Sequence, residues 1–243
     1  MSDKLFDVSA FAYAHRGLWG GIVPENSLAA FKAAHEAGVG IELDVRLTSD
    51  GLPVVFHDAT LERMCGDTRR LDEIPVEDLA KVRLPDGSHI PTLEDALDAM
   101  DGHPVLIELK VDGPGGEKLA ETVAALIRNR PGLQGVMSFD EFTVAQLCEI
   151  VTDQPVGLLI DREDRLGLEG VFRKAAMARA MGCDYLGPNI SSLAAASGSA
   201  GGLPLVTWTL RSPSDLQLAR KYSAAPIFEG FSADLAKPSK TPI

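Results

Sequence analysis

Cysteine is scarce in this chain: Cys65, Cys148 and Cys183 are odd in number and far apart in 243 residues, and no C-x-x-C pair occurs. Neither a disulfide framework nor a thiolate zinc site is expected, and the three read as buried free thiols. Positive charge is short as well. Lys and Arg number 23 against 35 Asp and Glu, which leaves a formal net charge of −12 and a pI near 4.8. A surface of that sign repels nucleic acid and anionic membranes, so a phosphate-bearing ligand needs locally placed cations. No apolar run reaches signal or membrane-spanning length, which predicts a soluble, cytoplasmic protein without stable membrane association. Internal repeats, low-complexity tracts and interdomain linkers are also missing from the sequence.

What is present is ordinary globular material, 45% hydrophobic and 24% charged, enough for one domain over residues 1–243 with a single sizeable core. Apolar, β-branched runs alternate with stretches of helical period. Eight strands are expected, at 11–14, 40–47, 104–111, 135–139, 156–160, 184–186, 205–210 and 225–231. Helical stretches are expected at 27–37, 93–100, 117–128, 142–151, 168–181 and 213–222, with Asn26 or Ser27 capping the first and Gly38 closing it. The segment SSLAAASGSAGG after the sixth strand is weak and Gly-rich. Strand, helix, strand is the signature of a parallel sheet. Eight such units predict an α/β fold, a (β/α)₈ TIM barrel, with a doubly wound sheet as the competitor. An insertion follows the second strand, about residues 53–91, with a further apolar run, PVVFH, and a short helical piece, VEDLAKVRL.

Ionisable residues interrupt strands that a parallel barrel should keep apolar. The first strand ends A-H-R-G, which places His15 and Arg16 at the C-terminal mouth, where loops build active sites. In the second, G-I-E-L-D-V-R, Glu42 and Asp44 are two apart and share a face. Two carboxylates about 7 Å apart repel by roughly 2 kcal/mol at an effective dielectric of 20. The third strand, P-V-L-I-E-L-K-V, adds Glu108 and Lys110 on one face. Glu42, Asp44 and Glu108 together suit a divalent cation, Mg²⁺ or Ca²⁺; the competing reading is ion pairing with Lys110 and Arg46. PVVFHD carries His57 to the same mouth if the insertion folds back over it. Phosphodiester cleavage takes a proton from the attacking oxygen and gives one to the leaving alcohol, and His15 and His57 can do both. The cation and Arg16 or Lys110 would stabilise phosphoryl charge. His35, His89 and His103 lack such company and read as structural.

The strings A-H-R-G, P-E-N-S-L-A-A-F, G-I-E-L-D-V-R-L-T-S-D-G and P-V-V-F-H-D, followed by T-L-E-R and I-P-T-L-E-D-A-L, resemble the glycerophosphodiester phosphodiesterase family in order and spacing from about Phe11 to Lys110. The resemblance implies a (β/α)₈ barrel with an insertion after the second strand. It makes His15 and His57 the acid–base pair, Glu42, Asp44 and Glu108 the metal ligands, and Arg16 and Lys110 the phosphate binders. It also implies hydrolysis of a small-molecule glycerophosphodiester to sn-glycerol 3-phosphate and an alcohol. Glu25 and Asn26 resemble a motif beside the site, although capping is the role expected of Asn26. Trp208, in V-T-W-T, is either a platform for the glycerol or barrel packing. The C-terminal half departs from the family pattern, with Leu210-Arg211 where many members have Asn, and I-F-E-G-F-S-A-D in place of D-G-x-x-T-D. Two other functions compete: a phospholipase D-like enzyme acting on lysophospholipid or sphingolipid, and a non-catalytic barrel that binds phosphorylated ligands.

Overall fold

The computed structural model describes residues 6–128 and 130–237. Nine strands form in chain order: β1 (Tyr13–His15), β2 (Gly40–Leu47), β3 (Pro53–Val55), β4 (Val105–Leu109), β5 (Gln134–Ser138), β6 (Val156–Ile160), β7 (Tyr185–Pro188), β8 (Val206–Leu210) and β9 (Ala225–Phe228). All but β3 pair in parallel, in the order β7-β6-β5-β4-β2-β1-β9-β8. Single parallel bridges, Leu186 to Leu205 and Asn189 to Trp208, join β7 to β8. The ring therefore nearly closes on itself, as a (β/α)₈ barrel, and the doubly wound sheet is ruled out.

Period-two alternation sorts the side chains into two apolar layers. Ile41, Leu43, Val45, Val105, Ile107 and Leu109 point outward to the helices. Tyr13, Leu106, Met137, Leu159, Tyr185 and Val206 fill the barrel, with Val8 packed beneath them. The two buried phenols are satisfied inside this layer, Tyr13 donating to Val8 O at 2.8 Å and Tyr185 to Val136 O at 2.9 Å. Gly157 makes room for the second ring, since a Cβ there would lie 2.3 Å from Tyr185.

The helices are α1 (Leu28–Glu36), α2 (Glu62–Cys65), α3 (Val76–Leu79), α4 (Leu93–Met100), α5 (Gly116–Ile127), α6 (Glu141–Ile150), α7 (Glu163–Met181), α8 (Leu193–Ser199), α9 (Pro213–Lys221) and α10 (Ala233–Ala236). Three expectations need correcting. The weak Gly-rich segment contains α8, because burial of Leu193 and Ala196 overrides its poor propensity. Helix α7 begins earlier than its apolar period, at Glu163, and Gly167 breaks its helical dihedrals. The thiols are not all buried: Cys183 is, Cys65 and Cys148 are half-buried, and the sulfurs of Cys148 and Cys183 sit 3.9 Å apart.

The insertion starts with β3, antiparallel to the end of β2 with Val55 opposite Val45. Val54, Phe56, Leu61, Leu71, Ile74 and Leu79 give it a small core of its own. Its first turn thus has a firm base from which His57 reaches the mouth. Among the described residues no helix is long and apolar enough to cross a membrane.

Candidate active site

Strand register assembles the site. His15 lies beside Glu42 across β1 and β2, and Asp44 beside Glu108 across β2 and β4. After His15 the chain turns through left-handed backbone at Arg16 (φ 60°) and Gly17 (φ 83°). A Cβ at Gly17 would stand 2.8 Å from that of Ala30, so the second position of this turn accepts only glycine. The turn sends Arg16 back across the strand ends. Its Nη1 meets Glu25 Oε1 at 2.7 Å, and its Nε lies 3.3 Å from Asp44 Oδ2.

Glu42, Asp44 and Glu108 are buried, and each offers an oxygen within 4.8 Å of the others. At that separation each pair repels by about 3 kcal/mol at an effective dielectric of 20. Two cations share the space: Lys110 Nζ is 2.7 Å from Glu108 Oε1 and 3.7 Å from Asp44 Oδ1. Burial pushes Glu42 well above the usual carboxylate range, and the neighbouring Asp44 and Glu108 add to it. Burial likewise dominates at Glu108, which is raised to about 6 despite Lys110. Asp44 goes the other way, because Lys110 and Arg16 outweigh its burial. Arg46 is not part of this balance; it pairs with Asp112 and donates to His57 O. Three oxygen-bearing groups, with no sulfur or imidazole among them, could hold a hard metal ion.

Asn26 departs from its expected role. Ser27 is the cap of α1, its hydroxyl accepting from Ala30 N. Asn26 instead takes φ 53° and donates from Nδ2 to Asp44 Oδ2 at 2.9 Å. Its own carbonyl oxygen is buried and lacks a hydrogen-bond partner among the described residues. An orphaned oxygen next to a carboxylate trio suits a cation with further ligand sites to fill.

Both histidines face the same cleft, about 470 Å³, together with Arg16, Glu42, Glu108 and Lys110. Each ring is backed by a carboxylate that sequence reasoning did not assign. His15 Nδ1 lies 2.5 Å from Glu229 Oε2, and His57 Nδ1 lies 2.6 Å from Asp58 Oδ1. Burial lowers the pKa of His57, which favours its neutral form, against the pull of Asp44. Glu25, which the resemblance placed beside the site, is gripped by Arg16 and by Arg63, which also holds Asp58. Asp58 could have been read from its place beside His57 in PVVFHD; Glu229 showed only as a carboxylate at the end of an apolar strand.

Trp208 lines the cleft and also packs: its Nε1 donates to Gly187 O at 2.8 Å, and its ring meets Phe139 edge-on at 5.3 Å. Arg162, Arg165 and Arg211 stand on the side of the cleft nearer β6 and β8, paired with Asp164, Asp161 and Glu229. His35 and His103 meet edge-on with their ring centres 4.3 Å apart, and neither they nor His89 line the cleft.

Comparison with known proteins agrees with this geometry. The model of the glycerophosphoryl diester phosphodiesterase family matches residues 15–232. Human glycerophosphodiester phosphodiesterase 1 is 38% identical over 113 residues, a stretch that spans 42% of this chain but only 34% of the human protein. A glycerophosphodiester phosphodiesterase of Caldanaerobacter subterraneus subsp. tengcongensis is 28% identical over 209 residues, covering 80% of this chain and 84% of that one. In fold, the chain resembles an Oleispira antarctica phosphodiesterase solved with its product sn-glycerol-3-phosphate (TM-score 0.78, 21% identity, 93% and 94% of the two chains covered).

Proposed function

Because this chain belongs to the glycerophosphoryl diester phosphodiesterase family, we propose that it hydrolyses glycerophosphodiesters to sn-glycerol 3-phosphate and a free alcohol. The observation that carries the reading is the meeting of two imidazoles and two cations in one cleft lined by Glu42 and Glu108, with the buried Asp44 completing a carboxylate trio beside them. Glu42, Asp44 and Glu108 would hold the divalent cation, Mg²⁺ or Ca²⁺, which when bound supplies positive charge against the phosphoryl oxygens. Arg16 and Lys110 add fixed donors to the same oxygens, and Trp208 offers its ring to the glycerol.

The two histidines divide the proton transfers. One imidazole takes the proton of the glycerol hydroxyl adjacent to the phosphate as that oxygen bonds to phosphorus. The bond from phosphorus to the other alcohol breaks, and the second imidazole protonates the departing alkoxide. Water then attacks the phosphorus of the cyclic diester and loses its proton to the imidazole that had protonated the alcohol, while the bond from phosphorus to the attacking glycerol oxygen breaks and the other imidazole returns the proton to that oxygen, giving glycerol phosphate. His57 suits the accepting part, since its burial keeps it neutral. The substrate is a small diester and the setting cytoplasmic, in keeping with an acidic chain that concentrates its useful cations at the cleft.

Phosphorus NMR of the products tests the direction and the nucleophile together. Glycerol 3-phosphate and free alcohol are expected, with turnover falling sharply for an analogue lacking the neighbouring glycerol hydroxyl. Glycerol with a phosphorylated alcohol would reverse the pocket, and undiminished turnover of the deoxy analogue would replace hydroxyl attack by direct attack of water.

A further inference from the structure

The two histidines are backed by chains of the same construction. Behind His57, Asp58 presents Oδ1 to the ring and Oδ2 to Arg63 Nε. Behind His15, Glu229 presents Oε2 to the ring and Oε1 to Arg211 Nε, at 2.5 and 2.6 Å. The first chain is local in sequence. The second joins the first strand to the last, and it is made of two of the residues at which the C-terminal half departs from the family pattern. Their adjacency follows from the sheet: Glu229 N donates to Leu210 O at 3.0 Å, which brings the ends of β8 and β9 level. Arg211 is itself tethered, its backbone N–H donating to Asp215 Oδ2 in the first turn of α9.

We propose that Glu229, held by Arg211, is a positioning residue that keeps a proton of His15 on Nδ1, so that Nε2 is the nitrogen that gives and takes protons at the cleft. A carboxylate only accepts, so Nδ1 must donate, and in a neutral imidazole the other nitrogen is then the acceptor. That nitrogen faces the carboxylate trio, 3.9 Å from Glu42 Oε2. Arg211 has donors only, and by occupying Oε1 it stops the carboxylate from turning. Burial would raise the pKa of Glu229, but the hydrogen bond from His15 and the charge of Arg211 outweigh it and keep the group ionised.

The inference rests on the two-histidine reading of the site, and glutamine at position 229 tests it. In Glu229→Gln the amide oxygen must face Arg211, so the NH₂ faces Nδ1 and drives the ring proton to Nε2. The expected result is a fall in kcat of about 10²- to 10⁴-fold with KM within about threefold. Adding Arg211→Ala lets the amide turn over, so the double variant should recover at least about tenfold over Glu229→Gln alone. A packing role would give the opposite, since a second truncation at one place makes the damage worse. The tautomer is read directly from the ¹⁵N shifts of His15 without substrate: Nδ1–H in the parent protein, Nε2–H in Glu229→Gln. A tautomer change in a protein that hydrolyses no diester sinks the proposed function and keeps the positioning role. An unchanged tautomer, or a double variant no better than the single one, overturns the positioning role whatever the substrate proves to be.

Discussion

Removing the divalent cation should cost stability, and the cost should grow with pH. Glu108 in the cation-free protein is raised by burial from 4.5 to about 6, and Glu42 is raised in the same direction. A carboxylate raised on folding stabilises fully below its unfolded pKa and loses that contribution as pH climbs through the folded one. For Glu108 the window runs from 4.5 to about 6, and the loss is about 2 kcal/mol. Asp44 acts in the opposite sense, but only below its ordinary range, and leaves this window untouched. A cation held by the ionised trio restores about 2.7 kcal/mol at about pH 8 when present at 100 times its Kd. For a chain of this size that is a rise in Tm of about 5 to 10 °C. At about pH 5, protonation of Glu108 alone weakens cation binding roughly tenfold, which cuts the gain at the same concentration to about 1.4 kcal/mol, and Glu42 cuts it further. Scanning calorimetry of chelated and Mg²⁺- or Ca²⁺-loaded protein across this range measures the difference, with Glu108→Gln as the control that should shrink it to the part Glu42 contributes. A gain equal at both ends of the range, or no gain at either, would refute the carboxylate trio as the cation's home.

Each of His15→Ala and His57→Ala should lower turnover by at least about 100-fold while leaving the melting transition in place, as followed by product release and circular dichroism. Asn26→Leu should weaken cation affinity by about 10- to 100-fold in calorimetric titration, because Asp44 loses the donor that orients it. Gly17→Ala should destabilise by at least about 1 to 3 kcal/mol in denaturant unfolding, given φ 83° and the close approach of Ala30. The acidic limb of the kcat/KM profile should lie below the ordinary imidazole value of about 6.5, since His57 must be neutral to accept a proton and burial lowers its pKa; a limb above that value would take His57 out of the accepting role.

The carboxylates of the candidate site were legible because period-two alternation makes a buried carboxylate conspicuous. Glu42, Asp44 and Glu108 could be placed on one inner face from spacing alone, and their register, Asp44 beside Glu108, needed only adjacent strands. His57 was legible from its string, although its reach depended on an insertion whose core formed out of view. Asn26 misled because an Asn before a helix usually caps it, whereas here Ser27 takes that duty and frees the amide for Asp44. Arg211 and Glu229 were visible as departures and silent about their purpose. Their meaning lies in a contact with His15 across 214 positions, which no local pattern encodes. Helix α8 was hidden for a related reason, since tertiary burial rather than propensity makes it helical.

The seam between β1 and β9 joins the beginning of the chain to its end, and the site straddles it. The carboxylate trio belongs to two adjacent strands in the first half, so a chain still lacking its last strand already contains every residue of that cage. His15 is different: its backing arrives only with the final strand. On the proposed reading, the residues that would hold the cation precede the last strand in the chain, and the brace on His15 follows it. A fragment ending before Ala225 keeps all three carboxylates and lacks Glu229, so on the proposed reading hydrolysis waits for the ring to be joined.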